Sequence, residues 1–347
     1  MNDLCSLLGI AHPLIQAPMA GVQGFALAAA VSNAGALGSL PCAMLAPDAL
    51  RSEIEALSKA TTRPWNLNFF CHVTPDPDPA REVAWRAALA PCFAEFGIDP
   101  SIVASGAGRM PFDARVADAI EPFRPPVVSF HFGLPSPALV ARVKSWGARV
   151  LSSATTVDEA RWLEAHGADA IVAQGLEAGG HRGMFLSDDL TTQVGTMALV
   201  PQIVAAVRVP VIAAGGIADA DGVAAAMALG AAGVQVGTAF LLCPEATTSA
   251  LHRAALGSAR AAHTVLTNRL TGRPARGIRN RLIDALGPIG ETPAFPYAGA
   301  ALAPLKVAAE KLGRDDFSAL WAGQNTSGCR EIGAAELTRE LVRRVAR

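Results

Sequence analysis

Residues 211–219, VIAAGGIAD, read as a short apolar strand, the glycine pair Gly215-Gly216 and the start of a helix. Residues 233–241, GVQVGTAFL, repeat the device: a strand that runs into Gly237-Thr238. Near-continuous apolar runs of this kind are the mark of strands buried on both faces of a parallel sheet. Working outward from them, similar runs stand at 13–19, 36–42, 64–70, 125–132, 148–154 and 169–174. Helical patterns lie between, for example at 24–33, 46–58, 136–146, 156–166 and 220–229. Thr156 or Asp158 is placed to cap the helix at 156–166, and Asp219 or Asp221 the helix at 220–229. Strand–helix units in series, eight in all, predict an α/β fold, a (β/α)8 TIM-type barrel, rather than an open sheet.

Two stretches interrupt this rhythm. Residues 71–124 open with the proline-rich TPDPDPA and turn helical around Arg81–Phe96. Residues 244–315 hold TNRLTGRPARGIRN and then GPIGETPAFPYAGA. Both are too long for ordinary connections and both leave the chain at strand ends, where barrel active sites lie. They are expected to pack together as a smaller inserted cap or substrate domain. The barrel is then residues 1–70 and 125–243, rejoined by about 316–347.

Composition narrows the function. Of 347 residues, 51% are hydrophobic and 17% charged, which excludes global disorder. Lys and Arg number 29 against 30 Asp and Glu, so no basic field exists to attract nucleic acid or an anionic membrane. No apolar run reaches the length of a membrane span, and MNDLCSLLGI lacks the pattern of a secretory signal. The six cysteines are scattered with no CxxC pair, which argues for free thiols rather than a disulfide framework or zinc knuckle. A cytoplasmic protein is expected, with the Asn325-Thr326-Ser327 sequon accidental.

The strand-end glycines carry the strongest chemical signal. Gly215, Gly216, Gly237 and Thr238 fall in the loops after the seventh and eighth strands, where backbone N–H groups of a barrel hold a phosphate. Glycine admits close backbone approach. No GxGxxG follows a strand and no GxxxxGK[ST] occurs, which disfavours a dinucleotide fold and a P-loop. Flavin mononucleotide (FMN), with a single phosphate, suits such a site. His181 lies in GLEAGGHRG (175–183), just after the sixth strand and beside Gly179 and Gly180. His131 lies in VVSFHFG (127–133), at the end of the fourth. Imidazoles at two strand ends can converge over the barrel mouth and exchange protons near neutral pH. No metal site is expected, because neither histidine has an HxH or HxxxH partner. No GxSxG elbow is present.

QAPMAG (16–21), NLNFF (66–70), SFHFG (129–133), GLEAGGHRG, AAGGIAD (213–219), QVGT (235–238) and LWAGQ (320–324) together resemble the nitronate monooxygenases, formerly 2-nitropropane dioxygenases. The resemblance runs in order along almost the whole chain, and SFHFG points to the class I-like group. It implies non-covalent FMN, with Ala17, Pro18 and Met19 backing the ring and Asn68 and Gln174 bonding the ring or ribityl chain. Gly179, Gly180, Gly215, Gly216 and the segment Gln235, Val236, Gly237 and Thr238 are then expected to hold the phosphate end. It makes His181 the catalytic histidine and assigns His131, Tyr297 and Lys306 to the substrate pocket. Where a second tyrosine is common in that family, this chain has Ala300-Ala301-Leu302. The implied reaction oxidises an alkyl nitronate such as propionate 3-nitronate with O₂ to a carbonyl compound and nitrite. The alternatives are an NAD(P)H-dependent flavin reductase (quinone or enoyl-carrier-protein type) on the same fold, and a flavin-free barrel that binds a phosphate-bearing ligand.

Overall fold

The computed structural model describes residues 3–102 and 109–345. Residues 103–108, within the first of the two long excursions, and the first two and last two residues lie outside it. The strands in chain order are β1 (Leu14–Gln16), β2 (Gly38–Pro41), β3 (Trp65–Phe70), β4 (Val127–His131), β5 (Arg149–Ala154), β6 (Ala170–Gln174), β7 (Gly180–His181), β8 (Val211–Ala214), β9 (Gly233–Val236), β10 (Thr264–Thr267) and β11 (Ala275–Ile278).

Eight of them form one parallel sheet in the order β1-β9-β8-β6-β5-β4-β3-β2. The two ends meet through a parallel bridge between Ile15 and Leu37, with Gln16 N–H donating to Leu37 O and Leu37 N–H to Leu14 O, both at 2.9 Å. The result is the expected TIM-like barrel. The strands stop short of their apolar runs at several C-terminal ends. Residues 17–19, read as strand, instead leave the ladder and, like the Gly237-Thr238 turn, line the cavity above it.

Thr156 and Asp219 are the residues that cap: Thr156 Oγ1 accepts from Glu159 N–H and Asp219 Oδ1 from Gly222 N–H. Each sits in extended backbone just before its helix, which brings the side-chain oxygen back over the first turn. The helix Asp3–Leu8 buries Leu4, Cys5 and Leu8 against Ile15, Leu37, Leu151, Val172 and Ile212 and closes the N-terminal end of the barrel. Leu4 packs so closely on Gly233 that a Cβ there would lie 2.4 Å from Leu4 Cδ2.

The two excursions meet. Trp85, Leu89 and Phe93 from the first share a buried cluster with Leu282, Leu302 and Leu305 from the second. Trp85 Nε1 donates to Ala298 O at 3.1 Å, Tyr297 Oη donates to Pro75 O at 3.0 Å, and Glu95 pairs with both Arg281 and Arg314. The helix Ala114–Ile120 behaves differently from the rest of its excursion. Ala117 and Ile120 are buried with Leu50, Ile54, Val128 and Val143 in the barrel's own helix–sheet layer, so this helix is the connection between β3 and β4. Likewise, Ala334–Leu341 packs Leu337 and Leu341 against Leu27 and Val31 and completes the helical shell. Among the described residues no helix is long and apolar enough to cross a membrane.

Candidate active site

The C-terminal ends of the strands open into one cavity. Ala17, Pro18 and Met19 line it after β1, Asn68 from β3, His131 from β4, Gln174 from β6, Gly215 and Gly216 after β8, and Gln235, Gly237 and Thr238 from and after β9. Gly179, Gly180 and His181 enter it from the loop after β6. Three residues picked from the sequence lie elsewhere. Val236 is buried in the barrel wall, where its carbonyl accepts from Ala17 N–H at 2.8 Å. Tyr297 spends its hydroxyl on Pro75 and does not line the cavity. Lys306 is half exposed on the helix Ala298–Lys311, 3.8 Å from Glu310.

The glycines form a tight cradle. A Cβ on Gly179 would stand 2.5 Å from Gly323 N and 2.6 Å from the Ala322 carbonyl carbon. Gly216 has φ +74°, a left-handed conformation costly for other residues. The segment LWAGQN closes the cradle from the far end of the chain. Gly323 N–H donates to Thr238 Oγ1 at 2.9 Å, Gln324 N–H to Glu177 O at 2.9 Å, and Asn325 Nδ2 to Gly216 O at 3.0 Å. Opposite, Gln16 and Gln23 fix the 17–19 turn: Gln23 Oε1 accepts from Gln16 Nε2 at 2.7 Å and from Met19 N–H at 3.0 Å.

His181 is held by its backbone and its ring. Gly180–His181 pairs antiparallel with Ala275–Arg276 of β11, which ties the catalytic-face loop to the second excursion. The His181 carbonyl accepts from Gln174 Nε2 at 2.9 Å and from His131 Nε2 at 3.2 Å. Gln174 Oε1 accepts from Gly183 N–H at 2.7 Å, so both ends of its amide are spent on this loop. Asn68 gives its amide N–H to Ser129 Oγ at 2.9 Å, which leaves Oδ1 as its remaining acceptor.

The His181 ring stands in an aromatic box, with Phe295 at 5.4 Å, Trp321 at 5.5 Å, Phe132 at 6.0 Å and Phe70 at 6.2 Å between centroids. Its Nε2 is 3.0 Å from Thr271 Oγ1. With the Thr271 hydroxyl turned to Arg273 O, 3.2 Å away, the His181–Thr271 proton is carried by Nε2 and Nδ1 is left basic. Burial, reinforced by the positive charges of Arg109 and Arg273 and by His131 and His72, pushes the His181 pKa well below 6.5. Burial likewise lowers His131 to about 4. Both imidazoles are therefore neutral at neutral pH, and His181 is free to accept a proton. No aspartate or glutamate lines the cavity, and among the described residues no cluster of His, Cys, Asp or Glu is placed to hold a metal. All six cysteines are free.

Reading the sequence alone did not single out Thr271, Phe295 or Arg109. Phe70, Phe132 and Trp321 lay inside quoted motifs without a role. The positive φ of Phe132, +70°, is the local feature that turns its ring toward His131 and His181. Nothing in sequence spacing connects Thr271 or Phe295 to a histidine so far upstream.

These features define a TIM-type barrel whose cavity carries a glycine cradle at one side of the mouth and a neutral histidine at the other. Comparison with known proteins resolves the class. The sequence pattern of the nitronate monooxygenase family matches residues 2–344, and the chain belongs to that family. It is 48% identical to a nitronate monooxygenase of Pseudomonas aeruginosa, over 97% of each chain. It is 45% identical to one of Paraburkholderia phytofirmans, over 98% of this chain and 94% of that one. A crystal structure of nitroalkane oxidase from Streptomyces ansochromogenes superposes with a TM-score of 0.88 at 38% identity, covering 98% of this chain and 97% of that one.

Proposed function

We propose that this protein binds FMN over the C-terminal face of the barrel and oxidises alkyl nitronates, propionate 3-nitronate among them, with O₂ to a carbonyl compound and nitrite. The observation that carries the reading is the neutral, box-enclosed His181 facing the same cavity as a glycine cradle. The cradle fits a single phosphate. Side chains at Gly179 would collide with the LWAGQ backbone, and the cavity has no carboxylate to repel the anion. On this reading Gly179, Gly216, Gly237 and Thr238 hold the phosphate end, residues 17–19 back the ring, and Asn68 accepts through Oδ1.

Bound FMN would supply the one-electron redox chemistry between the substrate carbanion and O₂. The chain's own residues do the rest. His181 Nδ1 takes the α-proton when the substrate is a neutral nitroalkane, while Nε2–H stays on Thr271. Phe70, Phe132, Phe295 and Trp321 exclude water from that proton transfer. His131 and Gln174 keep the His181 backbone in place. Mass spectrometry of the released chromophore, with oxygen uptake and nitrite formation on nitronates, tests the reading. FMN and nitronate-dependent oxygen uptake are expected. FAD, or rapid anaerobic bleaching by NADH with no nitronate turnover, would sink it in favour of a flavin reductase.

A further inference from the structure

Arg109 lines the cavity from the first excursion and is half-buried. Its guanidinium carbon lies 5.3 Å from the centroid of the Phe295 ring, and that ring is 5.4 Å from His181. Arg109 therefore stands on the histidine side of the cavity. The neighbouring arginines are committed. Arg182 donates to the Gln174 and Gly175 carbonyls, Arg276 to Leu176 O, and Arg273 bonds Met184 O and stacks on Phe132 at 4.1 Å. Among the described residues Arg109 has no ion-pair or hydrogen-bond partner for its guanidinium. Burial alone acts on its charge, with no carboxylate in opposition. A desolvated cation without a counter-ion is costly, and a planar guanidinium matches a planar anion with two oxygens.

We infer that Arg109 is the specificity-determining residue through which this site selects the anionic nitronate over its neutral nitroalkane. The inference rests on the proposed nitronate oxidation. The anion completes the charge pair on the Phe295 face, whereas the neutral form of the same compound leaves Arg109 unpaired. No bond is made or broken in this step, and no proton moves.

The test uses the enzyme with its native cofactor. KM is measured for a short alkyl nitronate and for the parent nitroalkane, with nitrate, a planar anion that is not consumed, titrated by calorimetry. Arg109→Gln is expected to raise the nitronate KM about tenfold or more and to weaken nitrate binding comparably, with the nitroalkane KM little changed. Arg109→Lys, which keeps the charge and loses the planar fork, is expected to fall between. Melting temperature and cofactor content should be unchanged in both. An unchanged nitronate KM in Arg109→Gln, an equal rise for the neutral substrate, or a wild type that binds no nitrate would overturn the inference. Arg109-dependent nitrate binding in an enzyme that turns over no nitronate would sink the proposed reaction and leave the anion site standing.

Discussion

His181 Nε2 and Thr271 Oγ1 lie 3.0 Å apart across 90 residues of chain, the histidine on the loop after the sixth barrel strand and the threonine in the second excursion. With the Thr271 hydroxyl turned to Arg273 O, this contact places the His181 ring proton on Nε2. The second excursion thereby reaches the ring of a barrel-loop histidine.

His181→Asn should separate proton abstraction from oxidation. Asparagine cannot act as a base, so turnover of neutral nitroalkanes should fall by ~10²–10⁴-fold. A pre-formed nitronate has already lost that proton, and its turnover should fall less. Rates on both forms at one pH, with freshly prepared nitronate and matched cofactor content, check this. Equal losses would show that His181 acts by orientation alone. Thr271→Val should lower nitroalkane turnover while retaining bound cofactor.

The acid limb of nitroalkane turnover should lie well below pH 6.5. On the proposed mechanism His181 works as a neutral base, so activity is present above its pKa and lost as pH falls through it, and burial together with Arg109 holds that pKa down. Arg109→Gln removes one of the positive charges and should move the limb to higher pH. A pH profile of kcat/KM for wild type and variant decides; a limb at 6.5 or above in wild type would contradict the buried, neutral histidine.

Stability should weaken on mild acidification. Burial lowers His72, His131 and His252 to about 4 in the folded chain, with the charge of Arg273 adding to it at His72 and His131, against about 6.5 when unfolded. Between those values the unfolded chain binds more protons, so stability is complete above pH 6.5 and declines as pH drops toward 4. Melting temperatures at pH 5 and pH 7 should differ in that direction, and a flat profile would refute the assignment.

Gly179→Ala should yield a folded protein depleted of cofactor. The added methyl would meet Gly323 N at 2.5 Å and force the LWAGQ segment out of the cradle. Gly216→Asp should do the same by placing a side chain at φ +74° and a negative charge beside the phosphate. Visible absorbance relative to protein absorbance reads both, and normal retention would place the phosphate elsewhere.

Arg182→Met should destabilise the fold by about 1–3 kcal/mol, the range for leaving buried acceptors unsatisfied. Arg182 is fully buried, and its guanidinium serves the Gln174 and Gly175 carbonyls and Gln193 Oε1. Chemical denaturation measures the loss, and a change below about 1 kcal/mol would mean that water replaces the guanidinium.

The barrel was legible in the sequence because its determinants are local. Apolar runs such as VIAA and AIVAQ must be buried on both faces, the caps Thr156 and Asp219 act within one helical turn, and the strand-end glycines mark close backbone approaches. His181 and the glycine cradle followed from those same strand ends. What the chain does around His181 was decided only in three dimensions. Thr271, Phe295 and Arg109 come from the excursions, where neither period nor motif fixes direction, and they reach the base through contacts that loop closure brings together. Tyr297 and Lys306 show the converse: residues of suitable chemistry that the packing of the helix Ala298–Lys311 directs to Pro75 and to solvent. Burial on both faces is written residue by residue along a strand, whereas the partners of a buried imidazole depend on where distant loops close over it.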